Sequence, residues 1–391
     1  MNKEINDLTV ISSVMMADGI SRQGVGIISA VQDSLSVNAY QLSTKNYKDV
    51  PPEVLNVLIK PFNGFGKVSF WTYILGINTE TLPLHNSITS QFKIAYSMFE
   101  SDAVPELWVA ILNKYYDIVV VPDEFLVSVY KNSGVKIPIF VIPLGIFVED
   151  LLKAPAKEKA NSPFIFGMSA GFWKRKNHIK LMQAFNKEFG NNKNFKLKVH
   201  GRFGPYKAEV EKAFKSLNCN NIELLTSPLS IKDYNQFMED IDCYVFPSSG
   251  EGYSITPRET LALGKPCIVA NNTAQTTICN SGFVIPLPAT KKVQAIYEIF
   301  GTKPIGNYFD CNVDDLSKLM KEVANNYDKY LKIAQGGREW VKQALWSELK
   351  PTYLNLFKPT NIVFGETNLV SPTMFQTNNK PLFDKLKAIF P

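Results

Sequence analysis

The stretch "CYVFPSSGEGYSITPRETLALGKPCIVA", residues 243–270, carries the pattern that decides the fold. An apolar run ends in small residues. A glycine-flanked loop follows, then a short helical pattern, then a second apolar run. The same rhythm repeats upstream. "FIFGMS" (164–169), "FKLKVHG" (195–201) and "NIELL" (221–225) read as strands, with helices predicted over 178–189, 207–217 and 231–238. Such alternation predicts a parallel sheet with helices on both faces.

A second set lies nearer the N-terminus. Residues 8–15 read as a buried strand ending at Asp18-Gly19, with Ser21 placed to cap a helix over 23–35. "KIAYSMF" (93–99), "DIVVVP" (117–122) and "IPIFVIP" (137–143) are further strands, separated by helices over 105–115 and 123–132. The charged stretch "EDLLKAPAKEKANSP" (149–163) reads as a boundary. The expected organisation is therefore an N-terminal Rossmann-like domain over 1–150 and a second one over 151–340. Residues 341–391 form a helix and tail that pack back on the first domain. Two doubly wound domains put a ligand cleft at the carboxyl ends of their strands.

The tail predicts less. Residues 314–356 read as helix broken near Gly336-Gly337, and 359–379 as polar loop. "KPLFDKLKAIFP" (380–391) spaces its apolar residues as a helix does, either docking on the body or lying at a membrane surface.

Composition narrows the class. The 391 residues are 45% hydrophobic and 20% charged, an ordinary core-forming balance. The net charge of +6 suits anionic ligands. The densest basic cluster, Lys174-Arg175-Lys176, is too short for a nucleic-acid arm. Five scattered cysteines without a CxxC pair, and three distant histidines (His85, His178, His200), give no metal-ligand spacing. The cysteines suit a reducing, cytoplasmic setting. The N-terminus lacks signal-peptide character and no apolar run is long enough to span a bilayer.

Within the opening stretch, Gly250 and Gly252 bracket Glu251 and allow unusual backbone angles or close approach to a ligand. Thr256-Pro257-Arg258-Glu259 reads as a capping box, with Thr256 as N-cap and proline at the first helical position. That accounts for Glu259 without a ligand. It leaves Glu251 unexplained, along with the amides of Tyr253, Ser254 and Ile255 before a helix N-terminus, a place that suits an anion. Lys174, Arg175 and Lys176 precede another helix, where cations oppose the helix dipole. A bound anion would compensate them. Together the two loops read as a diphosphate site with carboxylates nearby for hydroxyls.

These residues resemble the signature of retaining GT-B glycosyltransferases of family 4. The glutamate–seven–glutamate pattern, "RKNHIKLMQAF" (175–185), "VIPLGI" (141–146) and "AYSMFESDAVPELWV" (95–109) through "DIVVVPDEF" carry the likeness. It implies an α/β GT-B architecture, two Rossmann-like domains facing a cleft, and transfer of a hexose-type sugar from a nucleotide-diphosphate sugar, UDP- or GDP-linked. The acceptor is a hydroxyl of a glycan, glycolipid or glycoprotein. No cofactor or metal is implied. Glu251 would contact donor-sugar hydroxyls and Glu259 the ribose. The backbone of Gly252, Tyr253, Ser254 and Ile255 would meet phosphate and sugar, and Lys176 would neutralise the leaving diphosphate. Lys174, Arg175, Arg202 and Gly19 complete the donor side. Two departures stand out. The arginine that often precedes the lysine is absent from Ala170-Gly171-Phe172, with Lys174 as substitute. The usual N-domain histidine is absent, with Glu100 in the corresponding place. An epimerase on the same fold, or a non-catalytic sugar-nucleotide-binding or assembly protein, are the competing readings.

Two aromatic segments stay open between acceptor lining and plain packing. These are "PFNGFGKVSFWTYILG" (61–76) and "LPLHNS" (82–87) with its lone His85.

Overall fold

The computed structural model describes residues 6–14, 16, 19–42, 47–72, 75–76 and 79–358. The tail segments over 359–391 lie outside the described residues.

The first sheet is wholly parallel. Its strands are β1 (Leu8–Ser12), β2 (Val37–Gln41), β3 (Val68–Thr72), β4 (Phe92–Tyr96), β5 (Ile118–Val121) and β6 (Ile139–Val141), in the order β2-β1-β3-β4-β5-β6. The second comprises β7 (Phe164–Ser169), β8 (Phe195–His200), β9 (Ile222–Leu225), β10 (Cys243–Phe246), β11 (Cys267–Asn271) and β12 (Ile285–Pro288), in the order β12-β11-β10-β7-β8-β9. Strands β1, β3, β5 and β10 are buried along their whole length, which is why they read as continuous apolar runs rather than alternating ones. Each sheet reverses its winding once, between β1 and β3 in the first and between β7 and β10 in the second. Ligand crevices form at such points. Gly19 follows β1, the basic turn follows β7, and the Glu251 loop follows β10.

Besides the linker, a hairpin and a returning helix tie the domains together. The hairpin β13 (Lys291–Gln294) with β14 (Asn307–Asp310) reaches the first domain. The Asn307 N–H donates to Asp102 Oδ1 at 2.6 Å and the Ser101 hydroxyl to the Ile305 carbonyl at 2.6 Å. Phe99 packs on Tyr297 with ring centroids 4.6 Å apart. The helix Trp346–Phe357 returns to the first sheet, where Phe357 meets Phe70 edge-on at 5.2 Å. Trp346 fills a notch left by two glycines. A Cβ at Gly26 would lie 2.0 Å from its indole, and one at Gly145 2.2 Å.

Several expectations need correction. The first helix is Gly19–Val31, not 23–35. The helical tail is three helices, Val313–Asn325, Tyr327–Val341 and Trp346–Phe357, broken at Asn326 and over 342–345. Gly336 and Gly337 lie inside the second of these. They are small because Phe283 and Leu261 press on the helix there, where a Cβ would sit 2.6 and 2.7 Å from those side chains. The aromatic segment 61–76 is partly the central strand β3, with Phe62 and Phe65 clustered on Tyr40. His85 is fully buried, stacked 4.1 Å from the Trp71 ring and 2.8 Å from the Tyr116 hydroxyl. Both segments pack the first domain.

Candidate active site

Between the two sheets lies a cavity of about 590 Å³, walled by both domains. Its centre is Glu251. The carboxylate is 6% exposed, yet one oxygen, Oε1, takes three protein donors. Arg175 Nη1 stands at 2.6 Å, Lys176 Nζ at 2.5 Å and Ser248 Oγ at 2.5 Å. No protein donor among the described residues reaches Oε2. That oxygen is left to the cavity. The loop holding it is fixed from behind, since the Glu251 N–H donates to Thr273 Oγ1 at 2.9 Å and Asn272 Nδ2 donates to the Ser248 carbonyl at 3.0 Å.

Gly250 and Gly252 do not adopt positive φ. They are glycines because the first domain's backbone comes this close. A Cβ on Gly250 would lie 2.1 Å from the Glu100 carbonyl, and one on Gly252 3.0 Å from Met98 Cβ. Gly250→Ala is therefore expected to push the Glu100 loop away and destabilise the protein by about 1–3 kcal/mol, as overpacking does. Urea denaturation measures this, and an unchanged midpoint would mean the loops do not meet.

The basic turn is built differently from the expectation. Lys174–Lys176 is one turn of 3-10 helix, and Asn177 follows in a left-handed conformation. Asn177 Nδ2 donates to the Pro247 carbonyl and Ser249 Oγ, both at 2.8 Å, which joins this turn to the Glu251 loop. Two of the three cations expected to need a bound anion already have carboxylates. Arg175 reaches Glu251 and, from the other domain, Glu100 at 2.7 Å. Lys176 reaches Glu251. Lys174 is exposed and does not line the cavity. In the segment Ala170-Gly171-Phe172, where the resemblance lacks its arginine, Phe172 is fully buried against His178.

The capping box does not form. The helix begins at Ile255, with Ser254 as N-cap at φ 67° and no side-chain cap bond. Pro257 still falls in the first turn, where no N–H is required. Glu259 lies further along the helix, 3% exposed, and faces the cavity. Tyr234 donates to its Oε2 at 2.5 Å and Arg22, from the first domain, to its Oε1 at 3.3 Å. The Arg258 guanidinium binds the carbonyls of Tyr253 and Ser254 and lies 3.7 Å from the Tyr253 ring. In trans peptides this turns the N–H groups of Ser254 and Ile255 to the opposite side. The Ser254 hydroxyl is buried without a partner.

Residues 152–340 match the family model "Glycosyl transferases group 1". Over that segment the chain is similar to the group 1 glycosyl transferases. No curated relative matches the sequence. Solved structures agree on the fold. HepE of Anabaena, in complex with UDP and glucose, superposes at TM-score 0.66 and 11% identity, covering 90% of this chain and 99% of that one. A glycosyltransferase from Rickettsia africae gives 0.65 at 14% identity, covering 92% and 99%. Sucrose-phosphate synthase from Thermosynechococcus elongatus gives 0.64 at 12%, covering 90% and 98%. The architecture is GT-B. Among the described residues no helix is long and apolar enough to cross a membrane.

Burial shapes the site's charges. Burial would raise the Glu251 carboxyl, but Arg175 and Lys176 reverse this and its pKa is lowered. Burial works against the Arg175 charge, and Glu100 and Glu251 more than offset it, so its pKa is raised. Lys176 goes the other way. Burial, then the neighbouring Arg175, bring it down to about 8 despite Glu251. Arg202 and His200 line the cavity beyond. His200 Nε2 lies 3.1 Å from the Ser227 carbonyl and so carries the proton, while Nδ1 accepts from Ser169 Oγ at 2.8 Å. Burial lowers its pKa and keeps it neutral. The cavity thus brings together Gly19, Glu100, Arg175, Lys176, Arg202, Glu251, Gly252, Tyr253, Ser254, Ile255 and Glu259. Sequence reasoning missed Arg22, Tyr234 and Ser248. Only Ser248, three residues before Glu251, left a local signal.

Proposed function

We propose that the protein is a retaining, metal-independent glycosyltransferase that moves a hexose-type sugar from a nucleotide-diphosphate sugar to an acceptor hydroxyl. The observation that carries this reading is the Glu251 centre. A buried carboxylate with one oxygen saturated and one turned to a cavity is a fixed acceptor for sugar hydroxyls. Lys176, in contact with Glu251, and the amides of Ser254 and Ile255 are the complementary anion site.

The chemistry follows from these placements. An acceptor hydroxyl forms a bond to the anomeric carbon as the bond from that carbon to the diphosphate oxygen breaks. Negative charge grows on the diphosphate, where Lys176 and the helix amides stabilise it. The acceptor proton passes to the departing diphosphate oxygen on the same face of the sugar, which keeps the configuration and needs no protein nucleophile. Glu259 holds the ribose. Glu100, tied to Arg175 across the cleft, borders the acceptor side. The acceptor is a glycan, glycolipid or glycoprotein. UDP is the first base to test, because HepE was solved with UDP and with UDP-glucose.

The test is thermal stabilisation by UDP, GDP, dTDP and CDP and their sugars, with EDTA present. A rise in Tm with one nucleotide class supports a metal-free donor site and names the base. No shift with any of them, in folded protein, sinks the reading.

A further inference from the structure

Arg22 is the cation the sequence did not single out. It stands on the first helix, Gly19–Val31, and faces the donor domain across the cavity. Its Nε donates to the Met16 carbonyl at 2.6 Å, which fixes the guanidinium plane. Nη1 reaches Glu259 at 3.3 Å, longer than the 2.7–2.9 Å usual for a charge-assisted bond. Nη2 has no protein partner among the described residues. The side chain is 20% exposed, while Glu259 is nearly buried.

The N-terminal ends of the two helices meet across the cavity. A Cβ on Gly19 would lie 3.1 Å from Ile255 Cδ1, at the N-terminus of the donor helix. About one turn further along each helix, Arg22 meets Glu259. Arg22 lines the same cavity as Ser254, whose buried hydroxyl has no partner, and Ile255, at the helix start whose amides make up the proposed anion site.

The charges make the case. Arg175 is saturated by two carboxylates and the Gly250 carbonyl. Lys176 is engaged by Glu251. A diphosphate then finds Lys176 and Arg202 as further donor-domain cations lining the cavity, and Arg22 faces them from the first domain with an Nη2 that has no protein partner among the described residues. Guanidinium matches phosphate oxygens bidentately where an ammonium offers a point charge.

We propose that Arg22 binds the diphosphate of the nucleotide sugar from the N-terminal domain, through the edge that Glu259 leaves free. This rests on the donor reading above. It adds a guanidinium fork from across the cleft to the donor domain's own cations. It also makes the first helix part of the donor site, so that donor binding draws the two domains together.

The test is calorimetric titration of the full chain with the nucleoside diphosphate that stabilises it and with the matching nucleoside. Arg22→Gln should weaken the diphosphate by about 10- to 100-fold, the worth of a bond to a charged group, and leave the nucleoside unchanged. Arg22→Lys should recover only part of the loss. Melting without nucleotide checks the fold, and Arg22→Lys carries the test should Arg22→Gln not fold. Unchanged diphosphate affinity overturns the assignment. Equal losses for diphosphate and nucleoside also overturn it, since Arg22 would then act only through Glu259. If the wild-type protein binds no nucleoside diphosphate at all, the donor reading fails and this assignment falls with it.

Discussion

Glu251→Gln should abolish transfer and weaken the fold at once. Turnover is expected to fall on the order of 10²- to 10³-fold, the usual cost of losing one fixed polar contact in such a site. Unfolding free energy should fall by about 3 kcal/mol, because two buried cations lose their shared carboxylate. The amide keeps the shape but not the charge. Arg175 retains Glu100, whereas Lys176 is left beside Arg175 with its contact to the Glu251 carboxylate gone. Its ammonium then loses its proton more easily still. The pH dependence is a second signature. Because the folded Glu251 pKa is lowered, its contribution to stability is present above about 4.5 and is lost as pH falls through the folded value. The variant should therefore show a shallower loss of stability on the acid side. Paired measurements of nucleoside diphosphate release and urea midpoints across pH check both. A variant as stable as wild type that still turns over would remove Glu251 from the centre.

Lys176→Gln is expected to cost a similar 10²- to 10³-fold in turnover, since it removes the charge facing the leaving group. The informative comparison is Lys176→Arg. With Lys176 down at about 8, wild-type activity should decline as pH rises through that value and the ammonium is lost. Arginine stays charged, so its alkaline limb should vanish even if its peak rate is lower. The groups facing Lys176 are Glu251, Arg175, Glu100 and the Phe246 ring, 5.1 Å away. Stability moves oppositely to activity. Between about 8 and the ordinary lysine value of 10.5, the unfolded chain holds this proton and the native protein does not. The contribution of this one group therefore favours the native state as pH rises through that window. A pH–rate profile with the same alkaline limb in wild type and Lys176→Arg would assign that limb to another group.

The fold was legible because the strands are short, apolar and regularly spaced from helices, and Glu251 and Lys176 sit at strand ends where such folds place ligand contacts. What could not be read depends on contacts distant in sequence. Arg22 and Glu259 are joined only in three dimensions, as are Tyr234 and Glu259. The capping box misled because Ser254, not Thr256, ends the loop. Its left-handed conformation starts the helix at Ile255, a choice no local propensity favours. The β13–β14 hairpin went unseen because "KKVQ" and "NYFD" show neither an apolar run nor clear alternation. The glycines around Glu251 were noticed, but the partner pressing on them is backbone from the other domain.

The returning helix Trp346–Phe357 bears on the order in which the molecule can assemble. The first sheet is synthesised first, yet the tryptophan that fills the notch at Gly26 and Gly145 comes near the end of the described chain. The second sheet and the two helices before 342 are contiguous. The later-made half can therefore complete its core on its own segment, while the earlier-made half waits for Trp346 with an apolar groove open to water. Of the two domains, the one made earlier is the one finished later.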